Sequence, residues 1–183
     1  MRVNSGKGFT LVEMIVVISV FAVLAAAAVP SFVDSQRKSQ LKVAAQKLLT
    51  TLDVAQSESI KTRQRIYVAY VAPDDENRNG CILATNDQTS FSCSNSNVGL
   101  PKFYFEHFSG IELKSKPTES EKVLFYFEPQ TTLPSTDVTL TMKLTGYESE
   151  EAGVLVRRYA GLKGCSNSQF SSWPVCPGSS EES

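Results

Sequence analysis

Gly8-Phe9-Thr10-Leu11-Val12-Glu13 places a small residue directly before a long apolar run whose only charge is Glu13. From Phe9 to Val29 the run is about 21 residues, roughly 31 Å as a helix, matching a hydrocarbon core of about 30 Å. An ordinary secretory signal is cut after its apolar segment. Here the small residue comes first, so a cut between Gly8 and Phe9 leaves the apolar helix on the mature chain. A carboxylate inside a bilayer costs about 2.5–3.5 kcal/mol on insertion scales, so Glu13 calls for a partner or a function.

Beyond the membrane run the helical pattern continues. Leu41, Ala45, Leu48, Leu52 and Ala55 follow one another at spacings of four, three, four and three, with Leu49 and Ile60 widening the stripe. Lys38, Lys42, Gln46, Lys47, Asp53 and Glu58 fall largely on other faces, which predicts an amphipathic helix to about Thr62 that needs a partner surface. Pro30 removes one backbone donor and is expected to bend or loosen the helix near the membrane surface.

From Arg65 the pattern is strand-like. Ile66–Val71, Cys81–Leu83, Lys102–Phe108, Ile111–Lys114, Lys122–Glu128, Val138–Leu144 and Val154–Tyr159 are the expected strands, and Asn79-Gly80 is a hairpin-turn signal. Val123, Phe125 and Phe127 alternate with Leu124 and Tyr126, so that strand reads as apolar on both faces and central. The fold class is α+β, an antiparallel sheet packed on the second half of the long helix.

The 183 residues leave about 120 beyond the helix, enough for one domain with its own core. The formal charge is -1 and becomes -1 - 2 = -3 if Arg2 and Lys7 are lost with residues 1–8. No global basic field favours nucleic acid. The four cysteines form two local pairs, and Cys81–Cys93 with Cys165–Cys176 is the first choice. Four cysteines permit three connectivities, so the crossed ones stay open. Neither spacing is C-x-x-C, which argues against zinc or dithiol redox chemistry.

Lys7-Gly8-Phe9-Thr10-Leu11-Val12-Glu13 closely resembles the leader junction of type IV prepilins and type II secretion pseudopilins. The resemblance implies cleavage after Gly8 by prepilin peptidase and N-methylation of Phe9. It also implies that Glu13, fifth in the mature chain, pairs with the terminal amine of a neighbouring subunit. The run from Ala44 to Lys61 and the stretch Val123-Leu124-Phe125-Tyr126-Phe127-Glu128-Pro129-Gln130 look like the GspH/FimT family of minor pilins and minor pseudopilins, with Gln56 and Ser59 departing from its pattern. The implied organisation is a leader (1–8), a transmembrane part of the helix (9–29), an amphipathic part (30–62), a β-sheet head (63–164) and a disulfide loop with an acidic tail (165–183).

That resemblance implies a pilin-like fold and a minor pilin of an initiation or tip complex, anchored once in the inner membrane with its head in the periplasm, then moved into the pilus. Its partners would be other major and minor pilins through the N-terminal helix, prepilin peptidase and the inner-membrane assembly platform. One alternative is a minor pseudopilin of type II secretion. Another is a DNA-capturing competence pilin using Arg157, Arg158 and Lys163, although Gly161-Leu162-Lys163-Gly164-Cys165 puts Leu162 and Gly164 where the family's basic motif has arginines. Charge flanking does not settle the orientation, since Arg37, Lys38, Lys42 and Lys47 follow the anchor while Arg2 and Lys7 precede it.

Other features have plain readings. Asp75 to Ile82 follows the start of an EF-hand loop, but the twelfth position is Asn86 rather than a bidentate acid. His107 is the only histidine and has no catalytic companion at recognisable spacing. Tyr104, Phe105 and Phe108 read as core rather than a stacking platform for bases. Ser166 to Ser183, with the only tryptophan, Trp173, reads equally as a contact to a neighbouring subunit or as a stapled surface loop with a loose end. No enzyme activity, cofactor, metal or small-molecule substrate is expected.

Overall fold

Among the described residues one α-helix, α1 (Leu11–Thr62), precedes eight strands: β1 (Ile66–Val71), β2 (Cys81–Thr85), β3 (Lys102–Tyr104), β4 (Ile111–Leu113), β5 (Glu121–Phe127), β6 (Val138–Leu144), β7 (Tyr147–Arg157) and β8 (Gly161–Ser166). The computed structural model describes residues 9–73, 80–88, 91–94, 100–114, 121–167 and 172–177. The chain divides into two units, Met1–Arg37 and Lys38–Ser183. In the first, the described large apolar side chains are exposed, from 80% at Phe9 to 38% at Val33. The helix assignment runs through Pro30 without a break.

In the second unit the helical stripe is buried as its spacing predicts: Leu41, Ala45, Leu48, Leu52 and Ala55 are each at most 1% exposed. Ala44 joins them, whereas Ile60 is 49% exposed. The buried face ends instead at Ser59, whose Oγ donates to Gln64 O (3.0 Å) and Phe127 O (3.3 Å). Gln56 Nε2 donates to Thr132 O. Ser59 and Gln56 thus fasten the helix end to the last residue of β5 and to the chain that follows it. Arg63 takes a left-handed conformation (φ 55°) just past the last turn, which ends the helix.

The strands form two four-stranded antiparallel sheets, not one: β3-β2-β1-β5 and β4-β6-β7-β8. The second strand set was only partly visible in the sequence. The strand expected at Val154–Tyr159 is the longer β7, and β8, with two glycines in Gly-Leu-Lys-Gly-Cys-Ser, carries no alternation strong enough to announce itself. The strand expected over Lys102–Phe108 stops at Tyr104 and turns into a 3-10 helix, Phe105–His107. Register pairs Val71 with Cys81, so the β1–β2 connection spans 72–80 rather than a two-residue turn at Asn79-Gly80.

β5 lies at a sheet edge, contrary to its expected central place. The strand also carries a bulge: Val68 opposes Phe125 but Ala69 opposes Val123, leaving Leu124 as the extra residue. An inserted residue flips the chain before it to the other face. Phe125 and Phe127 therefore face the core at 2% and 0% exposure while Val123 turns outward. β2, in contrast, is buried on both faces.

That double burial comes from two cores. The main core joins the α1 stripe to Ile66, Val68, Tyr70, Phe103, Phe125 and Phe127 of the first sheet and to Leu140, Met142, Val154 and Val156 of the second. A smaller core on the opposite face of the first sheet gathers Ala69, Val71, Cys81, Leu83 and Cys93, with Phe91 and Tyr104 against it. The disulfide Cys81–Cys93 closes this loop, and Cys165–Cys176 closes the other. Phe103 stacks on Phe108 and meets Phe105 edge-on, so the aromatic cluster builds core.

Candidate functional site

The helix begins at Leu11 because Thr10 caps it. Glu13 N donates to Thr10 Oγ1 (3.2 Å), satisfying one of the amides that a helix start leaves without an intrahelical partner, while Met14 N makes the first helical bond to Thr10 O (3.2 Å). Thr10-Leu11-Val12-Glu13 has the spacing of a capping box, a signal that sequence reading centred on cleavage had passed over. It also places the Glu13 carboxylate in the first turn, where the positive end of the helix dipole favours an anion. Phe9, the expected new terminus, precedes the helix and is exposed. Gly8 lies outside the described residues.

From Phe9 to Leu24 apolar side chains are exposed on every side of this segment. A patch of that extent marks a surface that lipid or other protein covers. Among the described residues, no helix is long and apolar enough to cross a membrane.

Residues 4–29 match the family model described as the prokaryotic N-terminal methylation motif. No curated protein and no solved structure matches the chain significantly. The motif supports a type IV pilin-like or pseudopilin protein, processed by prepilin peptidase, assembling with other pilins and associated with a membrane. The α+β architecture, an N-terminal helix packed on antiparallel sheets, is consistent with a pilin-like fold.

The basic residues near the C-terminus are brought to the β7–β8 hairpin. Leu155 opposes Lys163 and Arg157 opposes Gly161, so Arg157 and Lys163 share the outer face as diagonal neighbours. Arg157 Nη1 donates to Val156 O (3.2 Å) and Thr139 Oγ1 (3.4 Å). Arg158 donates through Nε and Nη2 to Ser135 O (3.1 and 2.7 Å), and its amide to Asp137 Oδ1 (2.6 Å). Both arginines thus tie β6 and the preceding loop to β7, and Lys163 extends into solvent. Leu162 and Gly164 face the core side, opposite Val156 and Val154. An arginine at 164 would collide with Trp173, which a Cβ there would approach to 2.7 Å.

A half-open cavity of about 450 Å³ lies over Tyr70, Phe105, Ile111 and Leu113, with Glu106 and Glu112 among its lining residues. Its apolar floor is bordered by the polar side chains of Glu106, Ser109 and Glu112. His107 is exposed beside Glu106 at 3.8 Å. The EF-hand-like stretch from Asp75 to Asn79 lies outside the described residues, and no group of three metal-ligating side chains occurs among those described. Elsewhere, burial lowers the Lys102 ammonium from its ordinary 10.5, while its Nζ donates to Cys93 O (3.2 Å). Pairing with Glu128 raises Arg65 above its already high value. Its guanidinium also lies 5.2 Å over the Tyr126 ring. These groups fasten loops and strands.

Proposed function

We propose that the chain is a minor type IV pilin of the GspH/FimT kind: a single-pass inner-membrane subunit with a periplasmic head that enters the initiation or tip complex of a pilus. The observation that carries this reading is the methylation motif over residues 4–29, which is followed in the chain by the helical stripe that packs the head. Cleavage between Gly8 and Phe9 and methylation of Phe9 prepare the subunit. On extraction from the membrane, neighbouring helices replace lipid around the exposed apolar side chains. Glu13, fifth in the mature chain, pairs with an adjacent terminal amine, offsetting the cost of a carboxylate in an apolar bundle. DNA capture is the weaker reading, because Arg157 and Arg158 are engaged by carbonyl and hydroxyl oxygens of the head itself.

Intact mass and N-terminal sequencing of protein from sheared surface filaments tests this reading, with peptidase-deficient membranes as the control. A methylated Phe9 terminus in the filament fraction is the expected result. Processed protein confined to the envelope favours the pseudopilus, and an uncut chain overturns the reading of Gly8-Phe9.

A further inference from the structure

In chain order β3, the 3-10 helix Phe105–His107 and β4 carry the polypeptide from the first sheet to the second, and β3 and β4 are outer strands of their sheets. The cavity of about 450 Å³ lies along this crossing, bordered by every residue from Ser109 to Leu113 and floored by Tyr70, Phe105 and Phe108. Its volume falls within the range of about 300–1,000 Å³ typical of small-ligand sites. The aromatic floor is fixed in place: Tyr70 and Phe105 are 3% and 9% exposed and meet edge-on at 6.4 Å, and Phe103 stacks on Phe108. Glu106 and Glu112 bring two carboxylates to the same cavity, and no cationic side chain is among its described lining residues.

The β4–β6 ladder fixes which way the backbone of this strand points. Thr145 N donates to Gly110 O (2.8 Å) and Lys114 N to Thr141 O (2.7 Å), and Glu112 lies opposite Lys143 midway between them. In an antiparallel pair alternate residues bond to the neighbour, so the carbonyl of Ile111 and both the amide and the carbonyl of Leu113 point away from β6. Among the described residues no strand pairs with that edge. An edge of this kind is a template for an extended chain, and its acidic border selects the charge of what is added. Lys143 offsets part of the Glu112 charge from across the ladder. Glu106 is more open: its side chain is 52% exposed, and His107 Nε2 stands 3.8 Å from its Oε1, beyond hydrogen-bond range.

We propose that this cavity is a docking site for an extended segment of a partner protein: the segment adds as a strand to the outer edge of β4 and lays one lysine or arginine side chain across the aromatic floor, with its cationic head at Glu106. The methylene stem covers apolar surface while the head stays at the acidic rim, the arrangement long basic side chains favour. Ring faces beneath a cation add attraction. Backbone pairing supplies affinity and the cavity supplies specificity, as in other cases of strand addition. A free organic cation gains the second contribution alone, so the outward backbone groups of Leu113 favour a polypeptide. Every residue involved belongs to the unit Lys38–Ser183, and the docking site stands whether or not the chain is a pilin.

Fluorescence anisotropy tests this with the full chain in nonionic-detergent micelles and a labelled peptide of alternating threonine and valine around one central arginine. The controls are the same peptide with norleucine in place of arginine, two versions N-methylated at alternate amides, one in each phase, and arginine amide as a competitor. The arginine peptide should bind about tenfold more tightly than the norleucine peptide, the gain expected of a charge-assisted contact. Glu106→Gln should remove most of that difference. Ser109→Trp, which fills the mouth of the cavity from an exposed position, should abolish binding, with circular dichroism checking that both variants keep the fold. One of the two N-methylated peptides should bind far more weakly than the parent. Equal affinity for the arginine and norleucine peptides overturns recognition of the cation. Two N-methylated peptides that both bind as well as the parent, or arginine amide that competes as well as the peptide, overturn strand addition. No binding by any peptide, or binding unchanged in Ser109→Trp, overturns the site itself.

Discussion

At the scale of single residues, two carbonyl-directed contacts and one carboxylate carry separable consequences. The helix cap uses the Glu13 amide and the Thr10 hydroxyl, not the Glu13 carboxylate. Glu13→Ala should therefore leave membrane insertion intact while filament incorporation is lost; normal incorporation in a shearing assay would sink the assembly role. Ser59→Ala removes a buried hydroxyl from Phe127 O and Gln64 O and should cost about 1–2 kcal/mol in urea unfolding. Lys102 holds its proton less tightly folded than unfolded, so the unfolded chain binds more protons between the lowered value and 10.5. Stability should rise with pH through that window and fall back as pH drops through the folded value. Lys102→Met should flatten this limb of a stability–pH profile. Sequence reading reached the apolar stripe because helical burial repeats with fixed spacing, and it missed Ser59 because a polar residue ending that stripe is recognised only by the carbonyls it meets.

At the scale of elements, close backbone approach limits the second sheet. A Cβ at Gly153 would lie 2.1 Å from Leu140 O and 2.8 Å from Thr141 Cα, inside the β6–β7 pairing. Gly153→Ala should cost about 3 kcal/mol or more, since neither neighbouring backbone can yield without breaking its ladder. Comparable loss of soluble head, or a large drop in urea midpoint, is the expected measurement. Val138–Leu144 was legible to the residue because it alternates without interruption. β5 was legible as a strand but not in its placement: one extra residue, Leu124, reverses the facing of Val123, and no side-chain pattern distinguishes an edge strand with a bulge from a buried central one. β8 was hidden for the opposite reason, as its burial comes from Trp173 and β7 rather than from its own side chains.

At the scale of the whole head, both sheets feed one core, and the order of strands ties them further. β4 belongs to the second sheet yet lies in the chain between β3 and β5 of the first. Amides of β1 and β7 should therefore exchange hydrogen through the same global opening, with equal free energies; a gap between the sheets of more than about 1 kcal/mol would show that they open separately. A chain divided between Leu113 and Glu121 would leave each half holding one strand of the other's sheet. Neither half could complete a sheet alone, and mixing them should restore the head by reciprocal strand donation, as complementary fragments that are inert apart.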